Sequence, residues 1–129
     1  MAKYPGIVVD TDIIIKIFRG DQSKRELLKP IQHELGLSVI TAMELMNGAK
    51  SRKREYEVSK AIKAYHFLPL TISIGNRAFN ILKKYHLLHP VSIADALIAA
   101  TAIENDLALY TDNLGDYSFI KELRLFEPK

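Results

Sequence analysis

The sequence predicts an α/β fold of three layers: a parallel sheet with helices on both faces. Three observations predict it. Short apolar runs alternate with stretches whose apolar residues recur at helix spacing. The first run, Gly6 to Val9, is β-branched and reads as a buried strand. No internal repeat, low-complexity tract or dividing linker interrupts the pattern, so residues 1–129 are expected to form one domain.

The elements follow in order. Thr11 or Asp12 can cap a short apolar helix from Ile13 to Phe18. Gly20 and Asp21 break it, and Ser23 then caps a second helix with Leu27, Leu28, Ile31 and Leu35 in step. Pro30 is expected to split or kink that helix, because it lacks an amide hydrogen. After Gly36 a second strand covers Leu37 to Ile40. Thr41 and Glu44 have capping-box spacing, so a helix is expected to start there. A charged helix covers about 53–65, and Phe67 to Leu70 forms an edge or strand end because of Pro69. Ser73 opens a helix with Ile74, Ala78, Ile81 and Leu82 on one stripe. Ser92 caps another running to about Asn105. Leu107 to Tyr110 is a fourth strand. A turn-rich loop from Thr111 to Tyr117, a short helix from Ser118 to Leu123 and a last strand from Arg124 to Phe126 complete the chain.

Composition excludes several classes. Cys is absent, so there is no disulfide framework, no zinc–thiolate site and no thiol nucleophile. No apolar run approaches the roughly 18–20 residues that span a bilayer, and no basic segment leads into a signal-like apolar stretch. A cytoplasmic protein without a membrane partner is expected. The formal net charge of +3 mildly favours a polyanionic partner.

Four acids stand where the predicted chain turns or opens a helix: Asp10, Glu44, Asp95 and Asp116. Ligands of open α/β sheets bind beyond the carboxyl ends of the strands, and Asp10, Glu44 and Asp116 each follow a strand. Asp95 is the least explained locally. From Ile93 to Ile103 it and Thr101 are the only polar residues, and an isolated carboxylate in such a helix is costly. It also has a plain reading as a first-turn acid favoured by the helix dipole. Glu44 reads equally as half of a capping box, Asp116 as a turn residue and Asp12 as a cap. Taken together, several carboxylates without Cys suit Mg²⁺ or Mn²⁺, which prefer oxygen ligands and can activate water against a phosphate ester. Without the metal, their repulsion should raise one or more carboxylate pKa values.

Four segments resemble PIN-domain ribonucleases, and in particular VapC-like toxins of type II toxin–antitoxin systems. They are Val8 to Asp12, Ser38 to Leu45, Ala94 to Ala102, and Thr111 to Tyr117. Each is weak alone; their order and spacing make a specific signal. The resemblance implies a doubly wound parallel sheet of about five strands with an acidic site at its carboxyl edge. It implies that Asp10 and Asp95 occupy the principal Mg²⁺ positions, with Glu44 and Asp116 at the remaining acidic ones. Thr111 and Asn113 match the polar residues that hold the site, and Asp12 supports it. The implied activity is Mg²⁺-dependent endonucleolytic cleavage of RNA with water as nucleophile. The implied partners are a small antitoxin and a second copy in a homodimer. Asp12 replaces the more usual Asn or Ser, and Tyr117 a common Phe.

Lys50, Arg52, Lys53 and Arg54 form the densest basic cluster. Arg52, Lys53 and Arg54 are candidate RNA-backbone contacts, or else a solvated helix face. His86 and His89 read as surface or capping residues, and Tyr4, Tyr56 and Tyr65 form no base-stacking pattern. A receiver-type phosphoryl-transfer domain needs an acceptor Asp at the end of its third strand, where this chain has Phe67 to Ile72. A phosphatase of D-x-D type expects Gly or a hydroxyl residue where Ile13 stands. A PIN-like module that binds RNA or protein without catalysis is the main alternative to the nuclease.

Overall fold

The structure is a computed structural model that describes residues 6–128; Tyr4 lies outside them. Strands β1 (Ile7–Val9), β2 (Leu35–Ser38), β3 (His66–Leu68) and β4 (Ala108–Tyr110) form one parallel sheet in the order β3-β2-β1-β4. Helices α1 (Thr11–Phe18), α2 (Gln22–Leu28), α3 (Val39–Asn47), α4 (Arg52–Ile62), α5 (Ile72–Tyr85) and α6 (Ile93–Glu104) connect them, with 3₁₀ turns at Lys29–Glu34 and Leu114–Asp116.

The pleat of β1 explains the three layers, since successive side chains of a strand point to opposite faces. Val8 joins a core formed with α5 and α6, including Ile74, Ile81, Ile98 and Leu109. Ile7 and Val9 join the opposite core with Ile13, Ile14, Leu28, Leu37 and Val58. Both faces of the sheet are therefore covered, as expected for parallel strands. Among the described residues, no helix is long and apolar enough to cross a membrane.

Several boundaries differ from the sequence reading, for related reasons. The second strand starts at Leu35 and contains Gly36. Its last residue, Ser38, already caps α3 by accepting the Thr41 amide at 3.1 Å. Thr41 is thus a buried residue of the helix rather than its cap, and Glu44 lies beyond the first turn. Likewise Asp10, Asp21 and Thr71 cap α1, α2 and α5, displacing Thr11 or Asp12, Ser23 and Ser73. Pro30 does end α2, and the chain continues as 3₁₀ turns. Gly20, with φ of 96°, makes the left-handed turn between α1 and α2 that a side chain would disfavour.

The fifth strand shrinks to one bridge, Leu109 to Leu125, with the Leu109 amide donating to the Arg124 carbonyl at 2.9 Å and the Phe126 amide to the Leu109 carbonyl at 2.8 Å. Pro128 follows closely and cannot donate to a longer ladder. The helix expected from Ser118 to Leu123 is a series of turns instead. The amide of Lys121 donates to the Tyr85 hydroxyl at 3.2 Å, which removes it from any helical ladder.

Candidate active site

The strand order places a topological switch point at β1. The chain leaves β1 toward β2 on one side, while β4 pairs on the other. Crevices of this kind, at the carboxyl ends of parallel strands, are where open α/β sheets bind ligands. Asp10 and Thr111 are the first residues beyond β1 and β4.

Asp10 is 4% exposed and fully engaged. Its Oδ1 accepts the Thr11 amide at 2.8 Å, and its Oδ2 accepts the Thr111 hydroxyl at 2.7 Å. The Thr111 Oγ1 in turn accepts the Asn113 amide at 3.0 Å, so Asn113 supports the site through its backbone. Burial pushes the Asp10 carboxyl up to about 7; the Thr111 hydrogen bond opposes this, and the charge of Asp12 adds to it.

Asp95 sits in the first turn of α6, where Ser92 caps the helix by accepting the Asp95 amide at 3.0 Å. The carboxylate is half-buried rather than enclosed, because the first turn of α6 is partly open to solvent. Desolvation raises its pKa, the Tyr117 hydrogen bond lowers it, and the charges of Asp116 and Asp12 raise it further. Asp116 itself is exposed at the end of the 3₁₀ turn.

The hydroxyl of Tyr117 joins the two main acids. It lies 3.0 Å from Asp95 Oδ1 and 3.3 Å from Asp10 Oδ1, on a side chain that is 1% exposed. Burial and the two carboxylates raise the phenol pKa, so it remains a donor at neutral pH.

Asp12 approaches from α1. Its Oδ2 accepts the Asp112 amide at 3.1 Å, while its Oδ1 is buried without a hydrogen-bond partner among the described residues. The Asp112 carboxylate is clamped by Lys16 at 2.6 Å and Lys24 at 2.8 Å, which ties the last loop to α1 and α2. Glu44 connects to the cluster through Thr11, whose hydroxyl donates to Glu44 Oε1 at 2.7 Å and lies 2.9 Å from the Thr41 hydroxyl. The bonds seen for Glu44 are thus tertiary, with no return to its own helix start.

Beside Glu44 opens a groove of about 490 Å³ with Ile15, Phe18, Leu45 and Val58 in its walls and Arg19, Lys50 and Arg54 among its lining residues. Of the three candidate RNA contacts, Arg54 lines this groove while also pairing with Glu57 at 3.1 Å; Arg52 and Lys53 are exposed at the start of α4. His86 is exposed at the end of α5, in keeping with its surface or capping reading, whereas His89 is half-buried and stacks on Phe119 at 4.2 Å.

The donor set suits a hard divalent cation. It offers the carboxylate oxygens of Asp10 and Asp95 and one buried unsatisfied oxygen on Asp12. Among the described residues, no three acidic, His or Cys side chains stand close enough to enclose an ion by themselves. Two carboxylates supplemented by water fit Mg²⁺, which dehydrates reluctantly and keeps several waters.

The parallel sheet of this order, with Asp10 and Asp95 meeting at its switch point, is that of a doubly wound α/β protein, and the chain belongs to the PIN-domain family, which it matches over residues 7–115. Its relatives include Ribonuclease VapC10 of Mycobacterium tuberculosis, 31% identical over 121 residues that cover 92% of this chain and 90% of that protein. Ribonuclease VapC1 of Methanocaldococcus jannaschii is 32% identical over 125 residues, covering 92% and 84%. Among solved structures, DNA-bound VapBC from Salmonella typhimurium matches with a TM-score of 0.83 at 25% identity, covering 95% of this chain and 97% of that one. A toxin–antitoxin complex from Klebsiella pneumoniae matches at 0.76 and 28% identity, covering 91% and 94%.

Signals for some of these residues were present in the sequence and others were not. Tyr117 stood out only as a departure from Phe, and Thr11 only as a cap. The Lys16–Asp112–Lys24 clamp joins residues 96 and 88 positions apart and has no local signature.

Proposed function

We propose that this protein is a Mg²⁺-dependent endoribonuclease, with Mn²⁺ able to substitute, and that it serves as the cytoplasmic toxin of a toxin–antitoxin pair. The observation that carries this reading is the convergence of Asp10 and Asp95, 85 positions apart, on one buried hydroxyl at the switch point. The VapC ribonucleases among its relatives supply the substrate class.

Asp10 and Asp95 would hold the cation, directly or through water, with Asp12, Asp116 and Glu44 completing the acidic surround. Bound there, Mg²⁺ would lower the pKa of a coordinated water and offset charge developing on the scissile phosphate. The chain's own residues prepare that step. Thr111 and the Thr11 amide fix Asp10, whose carboxyl must release its proton before it can ligate. Asn113 holds Thr111, and the Thr11 hydroxyl holds Glu44 beside the residue that follows Asp10. Arg54, with Arg52 and Lys53 just before it at the start of α4, would meet the RNA backbone in a salt-dependent way. The expected partners are a small antitoxin, as in the toxin–antitoxin complexes among the similar structures, and a second copy in a homodimer of single-domain protomers.

The test incubates defined RNAs with the purified protein in Mg²⁺ and in EDTA, beside Asp95→Asn. Cleavage should appear only with the native protein and Mg²⁺, with the variant reduced at least a hundredfold, on the order of losing a group that acts in the transition state. Full cleavage in EDTA or by the variant overturns the reading. Intact RNA together with undetectable Mn²⁺ binding would favour the non-catalytic module.

A further inference from the structure

We infer that Tyr117 is a positioning residue that stands in for the cation: its hydroxyl restrains Asp10 and Asp95 in the metal-free protein and yields part of that task when an ion binds. The inference rests on the reading that these two acids hold a divalent metal.

Geometry is the first support. The phenol oxygen is within hydrogen-bonding distance of one oxygen of each carboxylate, at 3.3 Å and 3.0 Å. It carries one proton, which is shared between two like-charged acceptors once Asp10 has released its own proton, above a pH of about 7. Among the described residues, no Lys, Arg or His forms an ion pair with Asp10 or Asp95, although seven other ion pairs occur. The remaining bonds to Asp10 come from Thr11 and Thr111, which do not reach Asp95.

Anchoring is the second support. Tyr117 is buried in the core shared with α5 and α6, packed with Ile98 and Ile120 in the same cluster. Its amide donates to the Leu114 carbonyl at 3.1 Å. The ring therefore cannot swing aside, and the hydroxyl is a fixed point for side chains that arrive from β1 and α6.

Loss of the hydroxyl also lets a proton compete better for the carboxylates, so its effect on the metal is read where both acids are ionised; there it has two consequences of the same sign for binding. The metal-free carboxylates lose the donor that offsets their repulsion, so the free state rises in energy. Their oxygens also become better electron donors to a cation. A phenylalanine at this position should bind metal more tightly while folding less stably without it.

The experiment, run at about pH 8 so that Asp10 is ionised, compares native protein, Tyr117→Phe and Asp95→Asn by thermal melting in EDTA and in saturating Mn²⁺, and by calorimetric Mn²⁺ titration. Tyr117→Phe should melt lower than native protein in EDTA, regain part of the difference in Mn²⁺, and bind Mn²⁺ roughly fivefold more tightly, the ratio expected when about one hydrogen bond's net worth shifts between states. In the Asp95→Asn background the same substitution should leave Mn²⁺ affinity unchanged within about twofold. An equal melting loss with and without Mn²⁺, or weaker Mn²⁺ binding by Tyr117→Phe, overturns the inference while leaving the metal site standing. A native protein indifferent to Mn²⁺ overturns both.

Discussion

Asp10 is buried for the sake of its position and charged for the sake of its chemistry, and these demands oppose each other. Its carboxyl is raised from 3.8 to about 7, chiefly by desolvation. The sign follows from proton counting. Between about pH 4 and pH 7 the folded protein holds a proton that the unfolded chain has released, so this group's contribution to stability is greatest at the acid end and is lost as pH rises. The slope is at most about 1.4 kcal/mol per pH unit. Asp95 is raised too and acts in the same direction, whereas Asp21 and Asp112 are lowered and titrate below this window. Thermal melts in EDTA from about pH 5 to about pH 7.5 should therefore show a falling midpoint, and Asp10→Asn should flatten the fall. An unchanged slope in the variant would show that another group titrates. Metal affinity should run the opposite way and increase with pH, because ligation requires the deprotonated carboxylate.

At the scale of elements, one regularity accounts for most of the shifted boundaries. Asp10, Asp21, Ser38 and Thr71 each cap a helix one to three residues before the cap that residue type alone suggested. Two neighbouring hydroxyl or acidic residues often qualify locally, and the one left with extended backbone angles takes the role. Ser38 has the strongest case, being at once the last residue of β2 and the cap of α3. Ser38→Ala should cost about 1 kcal/mol, or ~4 °C in melting temperature for a domain of this size, whereas Ser38→Gly should cost less because glycine tolerates the cap position. Equal losses for Ala and Gly would argue that packing, not capping, is what Ser38 supplies. Freed from capping, Thr41 faces Thr11, and Glu44 takes the Thr11 hydroxyl. A one-turn change in where α3 begins thus decides which partner Glu44 has.

For the whole molecule, the site depends on β4 lying directly beside β1. That pairing runs from Ile7 with Ala108 to Val9 with Tyr110, and it sets Thr111 against Asp10. Leu109 holds the strand in place from the α5–α6 side, fully buried, and its backbone also carries the bridge to Leu125. Leu109→Ala should destabilise the protein by about 3 kcal/mol through lost burial and an unfilled cavity. Urea unfolding should then show a lower midpoint with the same dependence on denaturant, and a shift smaller than Ser38→Ala produces would contradict the central place given to β4.

The sequence by itself determined the class of fold and the order of its elements from β1 to β4, and it singled out Asp10 and Asp95 as the acids to test. Periodicity is a local property, so alternating strands and helices can be read from it. The placement of Asp10 just after a strand and of Asp95 within an apolar helix start is equally local. The tertiary structure decided what those acids touch. The bridge through Tyr117, the tie from Lys16 and Lys24 to Asp112, the partner of Glu44 and the single-bridge fate of the last strand all join residues distant in the chain. No window of sequence contains both members of such a pair. Their meeting is set by which strands lie side by side and which face of each helix is buried, and those choices are made by the sheet as a whole.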